Sequence, residues 1–523
     1  MNLEYLRVSC PENIDNLVKM GAFSQARAAI ERHMTLEIPT ILKERLEHEL
    51  LTMELIERDF LQTKSELFKA LSPYIVGLDL AEIDTFESEG YLLWHMIEGE
   101  KKYHKRAVKT VLKENIRLGN RLKLDQYEPA KACLKEHKAV DLAIDKMRST
   151  GEITVETTLK TSLKIKPEVL EGILVSAREV TSRFYLPLPR RAHFTKAVEV
   201  LETSSSNYQI ASEQALQRVI YAEGNLASNT SDSSDSDDSD DSSDSDDSDD
   251  SGDAFEIKYR FLNHMMYRPL YEMAEQLEQK NKDETTDGQV DFLNAKEMHL
   301  KKMNLYGHLS QEDQEQYLKE KSPHILFTPL LVDLAHKIVE QETEPLIKAK
   351  RIYDYITQHI RYRFMGSYRM LLNIPEYGAL NMRGDCGVQA LLLITLLRIV
   401  GVPATFASGL TSAPDVGCGM HDWSAFYVEP YGWCFADASY GGSAYRRDLK
   451  DKWHFYFGNL DPYRMMSNFD FQVPFEFPKA FVREDAYDNQ VGEVETSSGA
   501  LFSDDYIENT QLIAVREVSD ESI

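Results

Sequence analysis

A thiol, an imidazole and a carboxylate stand in chain order at Cys386, His421 and Asp437. A cysteine attacks a carbonyl as its thiolate. An imidazole within hydrogen-bond reach takes the proton, and a carboxylate beside that imidazole fixes its tautomer and stabilises the imidazolium. Cys386 follows Asp385 and precedes the apolar run GVQALLLITLLRIV, which ends at Gly401-Val-Pro403. Asp385 suits an N-cap and Gly401 a helix stop, so the cysteine opens a buried helix, where unpaired N–H groups and the helix dipole favour a thiolate. Alone, Cys386 reads more plainly as a small residue opening a core helix. The histidine and aspartate downstream raise it above that.

The elements that must position these groups are two strands. HDWSAFYVE and GWCFAD are rich in aromatic and branched residues and flank a turn at Glu429-Pro430-Tyr431-Gly432. Side chains alternate faces, so His421 and Asp437 share a face only if 437 stands opposite an odd-numbered residue such as Trp423. That requires an odd-length loop or a bulge, and it makes His421 a diagonal neighbour of Asp437.

Residues 345–445 resemble the transglutaminase-like superfamily of papain-like thiol enzymes. The resemblance rests on KAKRIYDYITQHIRY, GDCGVQALLLITLLRIVGVPA, HDWSAFYV and GWCFADASYGG. RGDCGVQA, HDW, YGW and FGNLDPYRM are similar to a bacterial group of these proteins. The resemblance implies Cys386 as nucleophile, His421 as base and Asp437 as orienting acid, on an antiparallel sheet packed against the cysteine helix. It implies a thiol-dependent acyl-transfer enzyme acting on peptide or carboxamide bonds of a peptide or protein substrate, with a lean to hydrolysis. The alternatives are a cross-linking transglutaminase and a non-catalytic peptide- or polymer-binding scaffold. No metal or cofactor is needed. Asn381, Tyr377 and Trp423 are candidates for the oxyanion or substrate contacts. Asp422, where many members have a small residue, could raise the His421 pKa, but its expected place is the solvent face of the strand.

Other side chains carry weaker signals. Cys418 reads as a loop thiol, Cys434 as core, and His359 and His454 as ordinary surface or core residues. Arg383 reads as half of a structural ion pair, and 457–466 either as a cleft wall or as a packed loop.

The expected fold class is α+β: a helical domain over 1–147, a β-rich domain over 150–264, the transglutaminase-like core over 265–482 and a tail over 483–523 that wraps the surface or frays. Residues 14–34, 38–60 and 91–118 carry helical spacing. At Gly151 the period becomes 2, and strands are expected at 153–165, 183–188, 197–201, 216–223 and 255–261. Helical patterns return over 265–350, notably at 330–338 and 345–360.

Between 228 and 253 lies a Ser/Asp insertion that includes SSDSDDSDD twice in tandem, at 233–241 and 242–250. It repels itself and buries nothing, so it is expected to be a disordered expansion of one β loop, without the glycine turn and closing Glu of a calcium site. Twelve of its aspartates account for 12 of the 27 net negative charges, leaving −15 for the remainder. That balance argues against a nucleic-acid partner. No apolar run is long enough for membrane insertion. Five cysteines without a CxxC pair suggest neither a disulfide framework nor a zinc knuckle, and together with the N-terminal sequence they point to the cytoplasm.

Overall fold

The computed structural model describes residues 3–114, 116–123, 137–176, 179–227, 252–282 and 307–519. They form two compact units, each assembled from three separate stretches of chain: Met1–Ile144, Tyr267–Phe406 and Asp422–Leu460 in the first, Asp145–Met266, Ala407–His421 and Asp461–Ile523 in the second. Helix and antiparallel sheet are both abundant, an α+β architecture.

The first unit begins with helices Glu12–Lys19, Phe23–Met34 and Thr40–Asp59, which close on Ile14, Phe23, Ile30, Leu46, Met53 and Ile56. The expected helix over 91–118 is mostly absent. Trp94–Ile97 and Glu100–His104 pair as a hairpin, with Ile97 opposite Glu100. Glu98 and Gly99 both take positive φ, the left-handed pair of a two-residue hairpin turn, and the apolar spacing hid that signal. Helix resumes only at Ala107–Glu114.

Further on, helices Pro329–Val339 and Pro345–His359 start with a proline in their first turn and bury their apolar faces. Helix Cys386–Ile399 is buried on almost every side, including Gln389, Thr395 and Arg398. Its polar side chains are satisfied locally. Gln389 Nε2 donates to the Gly384 carbonyl at 3.0 Å, Thr395 to that of Leu391 at 2.8 Å and Arg398 Nε to that of Ala404 at 2.8 Å. The strand Gly432–Ala436 pairs antiparallel with the 424–428 part of Gly417–Val428 and with Phe457–Gly458.

The second unit is a sandwich of antiparallel sheets. Glu152–Ile165 lies between Ala254–Met266 and Tyr506–Glu517, with Thr195–Thr203 beyond; in the other sheet Glu179–Pro187 lies between Glu493–Thr496 and Val219–Ala227. Leu159, Leu163, Phe184, Ile220, Phe255, Ile257, Phe261 and Val494 fill the space between them. Each expected strand between 153 and 261 is present, usually longer than its pattern. The tail does not fray: Tyr506–Glu517 runs alongside Glu152–Ile165 as an edge strand, with most of its side chains exposed.

The Ser/Asp insertion falls outside the described residues from 228 to 251, and its described end, Gly252, lies against the strand that precedes it. Ser182 Oγ donates to the Gly252 carbonyl at 2.5 Å and the Gly224 carbonyl at 3.2 Å, and a Cβ on Gly252 would stand 2.5 Å from the Asn225 oxygen. The strands before and after it, Val219–Ala227 and Ala254–Met266, belong to different sheets.

Candidate active site

Cys386 is the first residue of its helix. Asp385 caps it, accepting the Val388 N–H at 3.2 Å. The loop ahead is fixed by a short parallel ladder, Arg361 beside Arg383 and Tyr362 beside Gly384, with Arg363 N donating to the Gly384 carbonyl at 3.1 Å. Gly384 has to be glycine, because a Cβ there would meet Val388 Cγ1 at 2.3 Å. Gly387 is equally constrained: its Cβ would stand 2.1 Å from the Tyr368 hydroxyl and 2.8 Å from Asp422 Oδ2. The cysteine's backbone is thus held between a tyrosine and an aspartate.

Asp422 is the group brought onto the sulfur. Its side chain is 6 % exposed, and its Oδ2 accepts the Cys386 thiol hydrogen at 3.2 Å. This corrects the expectation that Asp422 faces solvent. Ser424, two residues on, donates to the Ala390 carbonyl at 3.2 Å, so the side of the strand bearing 422 and 424 meets the cysteine helix.

The electrostatics run against the expected thiolate. Burial pushes the Cys386 thiol well above its usual range, and the carboxylates of Asp422 and Asp385 push the same way; only the Asp422 backbone N–H opposes them. Cys386 keeps part of its surface exposed, which moderates the burial contribution, whereas Asp422 acts at contact distance. Asp385 is itself raised by burial, against the Tyr368 hydroxyl and Val388 N–H that it accepts. Tyr362 and Tyr368 are raised well above the tyrosine range, first by burial and then by Cys386, Asp385 and Asp422.

Asp437 is fully buried and caps helix Ala438–Arg446 by accepting the Tyr440 N–H at 2.8 Å. Its charge helps push the buried Tyr353 phenol up. Three residues, 429–431, separate the paired strands, and the last ladder pair is Ser424 with Ala436. Extended by one residue, that register sets Trp423 opposite Asp437, which is the odd-loop condition derived above. Arg268 holds the turn, donating to the carbonyls of Tyr431 at 3.0 Å and Trp433 at 2.7 Å. Trp423 is fully buried. His421, 5 % exposed, is the last residue of its stretch in the second unit, and Asp422, next along the strand, opens a stretch of the first.

Neither oxyanion candidate is aimed at the sulfur by its recorded bonds. The Tyr377 hydroxyl accepts from Arg363, and the exposed Asn381 amide donates to the Tyr377 carbonyl at 2.9 Å, one turn back in its own helix. Tyr368 is the side chain that sequence patterns missed. Only the glycine after Cys386 hinted at a close approach. Arg383 donates to the Glu89 carbonyl and lies over the Tyr91 ring at 4.6 Å, so its role is structural through backbone and ring contacts and not through an ion pair. Cys418 stands on a strand, against the second unit's core, and not in a loop. Cys434 is core, His454 is buried and stacked on Tyr271 at 3.7 Å, and His359 is exposed. Residues 457–466 are buried throughout.

Residues 332–438 match the model of the transglutaminase-like superfamily core. No curated protein matches. Among solved structures, a candidate cysteine protease from Cytophaga hutchinsonii is 12 % identical, with a TM-score of 0.36 over 69 % of this chain and 91 % of its own. The periplasmic domain of TgpA from Pseudomonas aeruginosa is 9 % identical, with a TM-score of 0.26 over 56 % of this chain and 97 % of its own. Overlaps this loose carry no functional argument. The segment that matches the transglutaminase-like superfamily core, residues 332–438, holds Cys386, His421 and Asp437.

Proposed function

We propose that the core is a thiol-dependent acyl-transfer enzyme that hydrolyses peptide or carboxamide bonds of a peptide or protein substrate. Cys386 Sγ attacks the carbonyl carbon after His421 takes the thiol proton. His421 returns that proton to the departing amine, leaving a thioacyl enzyme. Water, deprotonated by the same imidazole, then releases the acid, and Asp437 orients the imidazole throughout. The backbone N–H of Cys386 is the first donor to the developing oxyanion.

The observation that carries the reading is the first turn of the cysteine helix. Asp385 caps it, a ladder holds the loop before it, and glycines fit where no side chain could, all within the segment that matches the superfamily core. The strand register, with Trp423 opposite Asp437, sets His421 and Asp437 on one face, but the face bearing Asp422 and Ser424 is the one that meets the cysteine helix, so the proton step from Cys386 to His421 rests on the superfamily match and not on this register. We propose a cytosolic setting, supported by the four free thiols among the described residues, Cys10, Cys386, Cys418 and Cys434. Among those residues no helix is long and apolar enough to cross a membrane.

The test is substrate profiling of the wild type against Cys386→Ala with a peptide library, with and without a primary amine. Cleavage or ammonia release that depends on Cys386 and is indifferent to the amine supports the hydrolase. Amine incorporation would replace it with a cross-linking transglutaminase. A second reading, a binding scaffold on the same core, is favoured by one observation: the Cys386 thiol is engaged by a carboxylate that keeps it protonated. No turnover by either wild type or Cys386→Ala, with equal peptide binding by both, would establish that reading.

A further inference from the structure

Two carboxyl groups and two tyrosines bear on the thiol of Cys386. Asp422 reaches it from the strand, its Oδ2 3.2 Å from Sγ, and Asp385 stands at the helix cap. Tyr362 comes from the short ladder and Tyr368 from the turn Tyr368–Met370, its hydroxyl bonded to Asp385. Two cations lie behind this ring of groups. Arg106 acts on Asp385 and Tyr362, and the Lys113 ammonium rests 3.5 Å from the Tyr362 ring centroid.

The contact between sulfur and carboxylate is built into the backbone. Gly387 leaves no room for a side chain between Tyr368 and Asp422, so the carboxylate oxygen approaches the first helical turn as closely as a van der Waals surface allows. A carboxylate at that distance prefers a neighbour that donates a proton to one that bears a negative charge. Deprotonating Cys386 would replace the S–H···O bond by two anions in contact, inside a site where Asp385 already adds a second carboxyl.

Resting on the acyl-transfer reading above, we infer that Asp422 is a positioning residue that holds Cys386 as a neutral thiol before substrate binds, and that a cationic group on the substrate releases it. No bond is made or broken in the resting step: the proton stays on sulfur, with Oδ2 as acceptor. An ammonium or guanidinium entering beside Asp422 pairs with the carboxylate and offsets its repulsion of a negative sulfur. The proton then leaves to His421 and the thiolate is free to attack. The substrate class this selects is a peptide or amine-bearing carboxamide with a Lys-like or Arg-like group next to the scissile carbonyl.

The experiment reads the thiol directly and does not depend on turnover. Wild type, Asp422→Asn and Asp422→Ala are alkylated with iodoacetamide across pH, the adduct at Cys386 being quantified by peptide mapping. Cys386 alkylation at pH 7 is expected to rise about tenfold or more in both variants, the equivalent of at least one pKa unit. The Ala variant controls for an Asn amide donating to the thiolate. Parallel labelling with cationic aminoethyl methanethiosulfonate and anionic iodoacetate should favour the cation at Cys386 in the wild type and lose most of that preference in Asp422→Asn. Unchanged profiles, or a midpoint that moves to higher pH, would overturn the inference. If the alkylation shift appears while Cys386→Ala leaves peptide turnover unaltered, the acyl-transfer reading fails and the role of Asp422 stands. If turnover depends on Cys386 but alkylation ignores Asp422, the reverse holds.

Discussion

Replacing Gly387 by alanine tests the geometry of the first helical turn. The new Cβ would lie 2.1 Å from the Tyr368 hydroxyl oxygen, 2.9 Å from Tyr368 Cε2 and 2.8 Å from Asp422 Oδ2. Two opposing effects have to be weighed. Alanine is favoured over glycine in a helix by up to about 1 kcal/mol, and by less in the first turn. Overpacking a fixed environment costs about 1–3 kcal/mol, and here two neighbours are anchored, Tyr368 through Asp385 and Asp422 through its buried strand. Steric strain wins, and the net loss is about 1–2 kcal/mol. In a unit of this size that lowers the melting temperature by a few degrees, on the order of 2–4 °C per kcal/mol.

Calorimetry on Gly387→Ala, Tyr368→Phe and the double variant closes a cycle. Phenylalanine removes the atom at 2.1 Å and leaves the ring carbon at 2.9 Å, so it relieves most of the clash while losing the hydroxyl's bond to Asp385. The double variant should therefore be more stable than the sum of the single changes predicts, by about 1 kcal/mol. Strict additivity, or a Gly387→Ala protein as stable as the wild type, would refute the placement of Tyr368 over the cysteine's turn.

Three further outcomes are expected. Arg268→Met should cost about 3 kcal/mol and loosen the 429–431 turn, because it leaves the carbonyls of Tyr431 and Trp433 without their buried donor; urea unfolding measures the loss, and amide exchange over 432–436 localises it. Burial holds His104 down to about 4 despite Asp59, so the folded first unit resists its protonation. Stability is then fully present above about pH 6.5 and falls by up to about 3 kcal/mol as the pH drops from there to 4, and a pH series of melting curves should be flatter in His104→Gln. Replacing residues 229–251 by a four-residue Gly/Ser linker should leave the melting temperature within about 1 °C, since the strand ends it joins are already pinned side by side; a cut that also takes Gly252 and Asp253 should be visibly worse, because the carbonyl of each accepts a bond, from Ser182 and from the Ile165 N–H.

The legible parts of this chain were those where one residue's type decides the local backbone. Asp385 and Gly401 bracket the cysteine helix, and the alternation at 153–165 has one buried face and so one possible register. The turn between the two strands is three residues long, which meets the odd-length condition that the numbering of His421 and Asp437 sets. The hairpin at 94–104 was misread because its strands are half-buried and carry apolar residues at helical spacing by coincidence; the deciding residue, Gly99, sits in the turn and not in the pattern. The last strand was invisible because it is a sheet edge in which polarity does not track burial, with Ile507 and Ile513 exposed beside Glu508 and Gln511, so nothing but its partner distinguishes it from coil. The orientation of Asp422 depends on how a helix start sits against a strand, a packing relation that no spacing within either segment encodes. Tyr368 reaches Gly387 from a segment with no periodicity at all.

The two sheets of the β-sandwich take their strands from two separated passes of the chain, 152–266 and 493–517, the second of which includes the edge strand Tyr506–Glu517. A ribosome delivers these passes in order, so Glu152–Ile165 emerges hundreds of residues before the strand that will cover its free edge. The sandwich can finish folding only after Tyr506–Glu517 has been made. Until then its long amphipathic strands are open to mispairing with other nascent chains, and a premature stop even a few codons inside the final strand exposes that edge permanently.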